Sequence, residues 1–277
     1  MTKKSAGAAP SGSADRDSLM VQSVEKAFRV LTAFDGTDRS MSLSEVAQKS
    51  ELDLSAAQRF VHTLERLGYL RKDPATRRLE LTVRSLELGY SYMRGSALVE
   101  RTMPYLQHLS KTTEETVNLT VLDGTEIVFV SRFMSRHVLN TDVFVGMRLP
   151  AYCTAPGMAI LSRLPLPDAL AVLKGSDLRP YTPSTTWKLE DLERKLKASA
   201  ERGYAVTCGE IYRGDISIGA AVTDASGYPS GAINVAVSTS RYTAAEAEAQ
   251  FSPLVIAAAH SVSQIPVLPG RRLARAR

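Results

Sequence analysis

The sequence has few of the residues from which disulfide cross-links and metal sites are built. It contains 2 cysteines and 4 histidines among 277 residues. Cys153 and Cys208 are too few for a disulfide framework. The histidines lie far apart, and the sequence shows no zinc signature. We therefore expect neither a disulfide scaffold nor a metal ion, and we predict no cofactor.

Long apolar runs are also missing from the sequence. No stretch approaches the roughly 20 apolar residues that a membrane-spanning helix needs. Residues 1–18 contain no apolar segment of the kind found in a signal peptide. The Gly, Ser, Ala and Pro content of this segment predicts a disordered arm over residues 1–19. We expect a cytoplasmic protein that does not contact a membrane.

The excess of positive charge is confined to the two ends of the chain. The formal net charge is +5, and the segment after residue 265 carries four arginines and no acidic residue. The first nineteen residues contribute the remaining positive charge, so the part between them is neutral. We predict a basic disordered tail over residues 266–277. The net charge gives no argument for nucleic-acid binding by the folded part.

Residues 42–81 show the pattern of a winged helix-turn-helix. Ser42 is predicted to cap a short first helix. A second helix is predicted to open at Ser55 and to end at Gly68, a residue type that suits a helix C-terminus. Two short strands flank the turn-forming segment 73–76 and predict a basic hairpin, the wing. Such a unit fits a DNA major groove and its flanking phosphates.

Apolar residues recur at helical spacing on the second helix and on a supporting helix predicted over residues 20–34. We expect both apolar faces to be buried in the core of this unit. On the second helix, the face consists of Phe60, Val61, Leu64 and Leu67. On the supporting helix, it consists of Val24, Ala27, Phe28, Leu31 and Phe34.

The opposite, polar face of the second helix and the cations of the wing are the predicted DNA contacts. Gln and Arg side chains form bidentate hydrogen bonds with base edges, while Ser, Thr and basic side chains reach phosphates. The alternative is that this face is only the solvated side of an amphipathic helix. The predicted DNA-binding residues are Ser44, Ser55, Ala56, Gln58, Arg59, His62, Thr63, Arg66, Arg71, Lys72, Arg77 and Arg78.

The order and spacing of several segments resemble the IclR family of bacterial transcriptional regulators. The similarity extends over residues 21–264, and the Leu-Pro-Ala-Tyr-Cys-Thr run at 149–154 is most similar to members that govern aromatic-acid breakdown. The resemblance implies a GAF-like effector-binding domain, a double-stranded DNA operator, and a homodimer that pairs into a dimer of dimers. The segments that carry it are residues 24–31, 44–47, 54–59, 63–70, 122–124, 149–154 and 217–222.

Helices and strands alternate in the second half of the chain, which predicts an α+β fold with an antiparallel sheet flanked by helices. Strands are predicted over 116–122, 126–132, 138–145, 204–208, 216–223 and 230–237, and helices over 97–112, 155–164, 187–202 and 243–264. We predict a winged helix-turn-helix DNA-binding domain over residues 20–82, a linker helix over 83–96, and an effector-binding and oligomerisation domain over 97–265.

The second domain is predicted to bind a small carboxylate. Residues 146–152 are read as a loop that enters a helix capped by Thr154, and the N–H groups at a helix N-terminus suit an anion. Arg148 is predicted to hold the anion and Tyr152 to form a flat wall beside it. The alternatives are that Arg148 points to solvent and that Tyr152 packs in the core.

Further polar residues lie in otherwise apolar strands of this domain. Asn234 is costly to bury unless it bonds a backbone group or a ligand. By the resemblance, Thr207, Ser217 and Asn234 match polar ligand-contacting positions of family members, whereas Ala236 departs from the pattern. Residues 214–217 read Gly-Asp-Ile-Ser where aromatic-acid members often have Gly-Leu-Arg-Ser. The predicted effector-binding residues are Arg148, Tyr152, Cys153, Thr154, Thr207, Ser217 and Asn234.

The sequence thus predicts a transcriptional regulator whose operator binding or activity responds to a small organic acid, with aromatic acids among the candidates. An enzyme is not predicted, because residues 215–219 lack the first glycine of a nucleophile elbow and no histidine lies in a suitable context. Two alternatives stay open for the second domain. It serves only for oligomerisation, or it senses thiol oxidation through Cys153 or Cys208.

Overall fold

The computed structural model describes residues 19–36, 38–137 and 143–265. The predicted arm, apart from its last residue, and the predicted tail lie outside these ranges, as does most of the strand predicted over 138–145. The chain divides into two compact units, of which the first ends at Tyr90 and the second begins at Ser91. The fold is α+β, with a winged helix-turn-helix unit followed by a larger unit built on an antiparallel sheet.

The first unit contains the predicted helices and the wing. Its helices are α1 (Gln22–Thr32), α2 (Leu43–Lys49) and α3 (Leu54–Arg66), and its strands are β1 (Leu70–Lys72) and β2 (Leu79–Leu81). The two strands pair antiparallel, and Arg71 lies opposite Glu80. A short 3-10 turn (Val83–Ser85), capped by Thr82, leads into α4 (Leu86–Gly95), which was predicted as the linker helix.

Local capping interactions fix the boundaries of the helix-turn-helix. Ser42 and Glu45 form a reciprocal capping box at the start of α2, where the Ser42 N–H donates to Glu45 Oε2 at 2.6 Å. Helix α3 is capped by Asp53, whose carboxylate accepts the Ala56 N–H at 2.8 Å, so the predicted start at Ser55 was wrong. Gly68 ends the helix with φ +80°, as predicted.

Fewer residues of the predicted apolar helix faces are buried in the core of this unit than the sequence predicts. Val61 and Leu64 are buried as expected, but Leu67 is 52% exposed, and Val24 and Phe28 of α1 are 52% and 53% exposed. Helix α1 instead buries Val30, which packs into the same cluster as Val61 and Leu64. A core this small covers only one stripe along a three-turn helix. The wider apolar face predicted for α1 was therefore wrong.

The second unit is a sheet covered by helices. Its helices are α5 (Ala97–Thr113), α6 (Ala155–Leu161), α7 (Leu166–Gly175), α8 (Leu189–Arg202) and α9 (Ala244–Ser263). Its strands are β3 (Thr116–Asp123), β4 (Glu126–Phe133), β5 (Arg148–Pro150), β6 (Ala205–Cys208), β7 (Asp215–Thr223) and β8 (Pro229–Ser238). Within the described residues, they form one six-stranded sheet in the order β5-β4-β3-β8-β7-β6, with every neighbouring pair antiparallel.

The structure of this unit differs from the prediction at three places. The segment predicted as a loop before Tyr152 contains strand β5, which pairs with β4 through Ile127 and Leu149. Residues 143–145, the described end of the strand predicted there, are not a strand. No element was predicted for α7, which starts directly after Pro165 with a second proline in its first turn.

The two faces of the sheet belong to different cores because alternate side chains of a strand point to opposite faces. Ile216 and Ile218 of β7 pack in one core with residues of α5 and α9, while α6 and α8 contribute to the core on the other face. Gly219 of β7 lies where α6 meets the sheet. A Cβ atom there would lie 2.9 Å from the Pro156 nitrogen, so the start of α6 rests directly on the strand backbone.

Helix α6 offers a direct test of this packing. A Cβ atom on Gly157 would lie 2.2 Å from the Ala151 carbonyl oxygen, which cannot move without shifting the backbone. We expect Gly157→Ala to lower the free energy of unfolding by about 3 kcal/mol, as for a severe core overpacking. At Gly175, the added Cβ would make an ordinary 3.5 Å contact with Thr125, so Gly175→Ala is the control. Urea denaturation showing equal losses in both variants would contradict the described packing.

Candidate nucleic-acid interface and ligand pocket

The polar face of α3 is exposed over most of its predicted DNA-binding residues. Ser55, Gln58, Arg59, His62, Thr63 and Arg66 are exposed, and Ser44 is exposed on α2. The Thr63 hydroxyl donates to the Arg59 carbonyl, so it is already hydrogen-bonded within the helix. Ala56 was assigned wrongly to this face, because its side chain is buried.

The wing cations fall into two groups. Arg71 Nη2 donates to Glu80 Oε2 across the hairpin at 2.6 Å. Arg78 donates to the Ser40 carbonyl at 2.6 Å and to Glu45 Oε2 at 3.0 Å. The guanidinium of Arg78 thereby joins the wing to the first turn of α2. These bonds use the Nε and Nη2 atoms of Arg78, and its predicted phosphate contact stays a prediction.

Lys72 and Arg77 are the second group of wing cations. Neither forms a side-chain ion pair or hydrogen bond with a residue that the structure describes. Arg77 is exposed at the tip of the hairpin with φ +60°. Asp73 holds the tip in place by accepting the N–H groups of Ala75 and Thr76. These hydrogen bonds also keep the pKa of Asp73 below its ordinary value.

The second candidate site is a pocket on the face of the sheet that α6 covers. It encloses about 50 Å³. Polar side chains from five strands line it: Asn118, Arg132, Thr207, Asp215, Ser217 and Asn234. Apolar walls come from Ile127, Phe129, Val143, Leu149, Pro156 and Ala236, and Cys153, Thr154, Ala155, Glu210, Ile211 and Tyr212 complete the lining.

A row of hydrogen bonds joins four neighbouring strands on the floor of the pocket. Arg132 Nη1 donates to Asn118 Oδ1 at 3.0 Å, and the Asn118 amide donates to Asn234 Oδ1 at 3.4 Å. The Asn234 amide then donates to Ser217 Oγ at 2.9 Å. The strand register creates this row, because Asn118 lies directly opposite both Arg132 and Asn234. We call these four side chains the polar row.

Charges of both signs border the polar row. Burial raises the pKa of Asp215 to about 7, although the nearby positive charge of Arg132 lowers it. Burial also lowers the pKa of Arg132, which Asp215 and Tyr212 raise. Asp215 Oδ1 is shielded from solvent and accepts no hydrogen bond from any described residue. The other acid of the lining, Glu210, forms a buried ion pair with Lys195.

The structure brings five of the seven predicted effector-binding residues together and places two elsewhere. Thr207, Ser217, Asn234, Cys153 and Thr154 line the pocket. Whether they contact an effector stays a prediction. Thr154 is also occupied as the cap of α6, where its hydroxyl oxygen accepts the Gly157 N–H at 3.3 Å.

Arg148 and Tyr152 do not line the pocket, so their predicted placement was wrong. Arg148 lies on the surface in ion pairs with Asp123 and Glu126, at 2.9 and 2.7 Å. Tyr152 is fully buried, and its hydroxyl donates to the Arg179 carbonyl at 2.6 Å. The predicted anion site at the start of the helix has fewer donors than expected, because Thr154 uses the Gly157 N–H and residue 156 is proline.

The sequence analysis missed Asn118, Arg132, Asp215 and Glu210. Asn118 carried the same signal as Asn234, a lone amide in an apolar strand, and that signal was not applied to β3. Arg132 follows from Asn118 only through the pairing of β3 with β4. Asp215 shares a face with Ser217 because the two are separated by one residue in β7.

Cys153 is a poor candidate for a thiol sensor. Burial raises the pKa of the Cys153 thiol to about 12, so little reactive thiolate is present at neutral pH. Both cysteines are free, and Cys208 is exposed. Among the described residues, no group of three or more His, Cys, Asp or Glu side chains could hold a metal ion. No described helix is long and apolar enough to span a membrane.

Comparison with known proteins decides the family. The model described as IclR helix-turn-helix domain matches residues 23–74, and the model described as bacterial transcriptional regulator IclR C-terminal matches residues 90–264. The chain belongs to the IclR family of bacterial transcriptional regulators. It is therefore a DNA-binding regulator rather than an enzyme, and its similar relatives are named as regulators.

Individual IclR-family proteins match along most of the chain. The Pca regulon regulatory protein of Pseudomonas putida is 30% identical over 247 residues, which cover 89% of this chain and 84% of that protein. The crystal structure of Thermotoga maritima IclR matches with a TM-score of 0.69 and 27% identity, over 88% of this chain and 98% of that one. An IclR homologue from Microbacterium hydrocarbonoxydans, solved with 4-hydroxybenzoate, shares the fold at 22% identity, with a TM-score of 0.73 over 87% and 97% of the two chains.

The raised pKa of Asp215 leads to a pH-dependent stability. Between pH 4 and about 7, the folded chain holds a proton on Asp215 that the unfolded chain has lost. The free energy of unfolding therefore falls as pH rises through this window, by at most about 1.4 kcal/mol per pH unit. In Asp215→Asn, this fall in the free energy of unfolding with rising pH should be absent. In Asp168→Asn, which changes a residue on the surface of α7, it should remain. Urea denaturation of parent and Asp215→Asn with a constant difference from pH 4 to 8 would show that Asp215 is not the titrating group.

Proposed function

We propose that the first unit binds an operator through α3 and the wing, and that a small organic acid in the pocket changes the operator affinity. The observation that carries this proposal is the polar row, a connected set of hydrogen-bonding side chains in the pocket that α6 covers. Polar groups are retained at such places when they bond one another or a ligand. The complex of the Microbacterium homologue with 4-hydroxybenzoate supports a ligand of this kind.

An acid suits the pocket better than a neutral or cationic ligand. Arg132 is the only cation among the described residues that line it, and burial strengthens the attraction between its guanidinium and an anion. Phe129 and Leu149 add apolar surface for a ring or a short carbon chain. A domain that served only for oligomerisation would not need a polar row inside it, and the high pKa of Cys153 disfavours thiol sensing at that residue.

In the DNA-binding unit, we assign Gln58 and Arg59 to base edges and Lys72 and Arg77 to backbone phosphates. All four side chains remain available, because none is used in a bond to another described residue. Ser44, Ser55, His62, Thr63, Arg66 and Arg71 are retained as contacts around this set. The capped start of α3 presents Gln58 and Arg59 in its first two turns, the part of a recognition helix that reads bases.

Self-association is also part of the proposal. Val24 and Phe28 are apolar and more than half exposed on the outside of α1, and exposed apolar patches of this kind mark interaction surfaces. We propose a homodimer that pairs into a dimer of dimers. Two-fold symmetry would match two half-sites of an operator. The DNA target implies that the protein acts in the bacterial cytoplasm.

The DNA assignment predicts that two substitutions lower the affinity for DNA in different ways. An operator is first selected from random duplexes with the parent protein. Arg59→Ala should then weaken binding to this operator by about 1–3 kcal/mol and random DNA by less, because a base contact is lost. Arg77→Ala should weaken both DNAs alike and flatten the salt dependence by about 0.9 in the log–log slope. Exposed Arg163 provides the control. Equal losses on both DNAs for Arg59→Ala would assign Arg59 to the phosphates instead.

The effector assignment predicts stabilisation by small acids. An acid that binds only the folded protein must raise its melting temperature. We expect at least one acid in a panel of aromatic and short-chain carboxylates to do so. Ser217→Ala should weaken the binding of that acid by about 1 kcal/mol, roughly fivefold in affinity. Ser184→Ala, on the exposed surface, should leave the affinity unchanged. The proposal fails if no acid in the panel shifts the melting temperature of the parent.

A further inference from the structure

A basic and an acidic side chain enter the pocket from different strands. Arg132 is on β4 and Asp215 is on β7, with β3 and β8 between them in the sheet. Three strand spacings correspond to about 14 Å between the two backbones. The Asp215 carboxylate forms no ion pair with a described residue, so the two charges face the same space without neutralising each other directly.

Asp215 is directed into the pocket by the strand period. Ser217, two residues further along β7, is on the same face and also lines the pocket, whereas Ile216 and Ile218 pack in the core on the opposite face. The buried Asp215 Oδ1 has no donor among the described residues. A buried carboxylate oxygen without a donor is destabilising, and a hydrogen bond from a bound molecule would remove that penalty.

Arg132 is held in position at the other end of the polar row. Its Nη1 atom donates to Asn118 Oδ1, which orients the guanidinium along the pocket floor. The other basic residue beside the pocket, Lys195, is paired with Glu210. Arg148, which the sequence suggested as the anion ligand, lies outside the lining in its own ion pairs. An anion in the pocket therefore has one cationic partner among the described residues.

We propose that Arg132 binds the carboxylate of the effector and that Asp215 accepts a hydrogen bond from a hydroxyl group on the same molecule. The pocket then selects a hydroxylated carboxylic acid over the same acid without its hydroxyl group. The apolar wall at Phe129 and Leu149 contacts the carbon skeleton between the two groups. This assignment rests on the proposed function of the pocket and adds the ligand class and the two residues that read it.

The magnitude of the selection follows from the group that is left unpaired. An acid without the hydroxyl leaves the buried Asp215 oxygen without its donor. Hydrogen bonds to charged groups contribute about 1.5–3 kcal/mol, which corresponds to roughly tenfold or more in affinity. We therefore expect a preference of at least about tenfold for the hydroxylated member of a matched pair.

Calorimetric titration of the full chain with two matched pairs of acids, at pH 8 where Asp215 is ionised, tests the proposal. The pairs are benzoate with 4-hydroxybenzoate and butanoate with 3-hydroxybutanoate. The parent should prefer the hydroxylated acid in at least one pair. Arg132→Gln should lower the affinity for both acids of that pair by about tenfold or more. Asp215→Ala should remove the preference while the acid without the hydroxyl still binds, and Asp215→Asn, which keeps a neutral acceptor, should lie between Asp215→Ala and the parent.

Matched variants separate these effects from a loss of folding. Arg148→Gln and Asp168→Asn change the same residue types outside the pocket and should bind both acids like the parent. Melting curves establish that each variant is folded. If Arg132→Gln does not fold, Arg132→Lys should keep a positive charge and retain weakened binding of both acids, since the bidentate geometry is lost.

Other outcomes overturn the proposal in distinguishable ways. If the parent binds acids without preferring the hydroxyl, or if Asp215→Ala keeps the preference, the role of Asp215 is wrong while the acid-binding function stands. If Arg132→Gln binds acids as tightly as the parent, the anchoring role of Arg132 is wrong. If neither these four acids nor the wider panel binds the parent, the proposed effector function fails, and this assignment fails with it.

Discussion

The need to hydrogen-bond polar side chains on a covered sheet face shapes the second unit. Asn118, Asn234 and Ser217 lie where a sheet with helices on both faces would ordinarily carry apolar residues. Their mutual hydrogen bonds stabilise them, and they also fix the directions in which their remaining donors and acceptors point. Helix α6 lies at backbone distance over Gly219 on this face, and the side chains of Asn118, Asn234 and Ser217 are enclosed beside it. The binding chemistry assigned to the pocket depends on that enclosure.

The first unit is under a different constraint. Its small core must hold helix α3 and the wing in fixed positions relative to each other. The capping box of α2 and the Asp53 cap of α3 define the two helices locally. Arg78 then connects the wing to α2 through Ser40 and Glu45, and this bond from Arg78 contributes to the lowered pKa of Glu45 after the larger effect of Ser42. One wing cation therefore holds the hairpin against the first turn of α2.

The sequence allowed prediction of features that depend on neighbours along the chain. The Ser42 cap, the end of α3 at Gly68 and the hairpin at Gly124 all rest on interactions within a few residues, and all three were predicted correctly. The composition of the pocket depends on strand pairing, which one sequence does not reveal. Arg148 and Arg132 are both arginines in strands, and only the strand order β5-β4-β3-β8 places Arg132 in the polar row and Arg148 at the edge of the sheet. Tyr152 was misplaced for the same reason, since its partner Arg179 is distant in sequence.

The central claim is that occupation of the pocket and occupation of the operator are coupled. The most direct test measures operator affinity with and without a saturating concentration of the acid that most raises the melting temperature, and then acid affinity with and without operator. Coupling by binding is reciprocal, so both ratios should be equal and should fall between about 5 and 150. An acid that binds in the pocket but leaves operator affinity unchanged would contradict the claim.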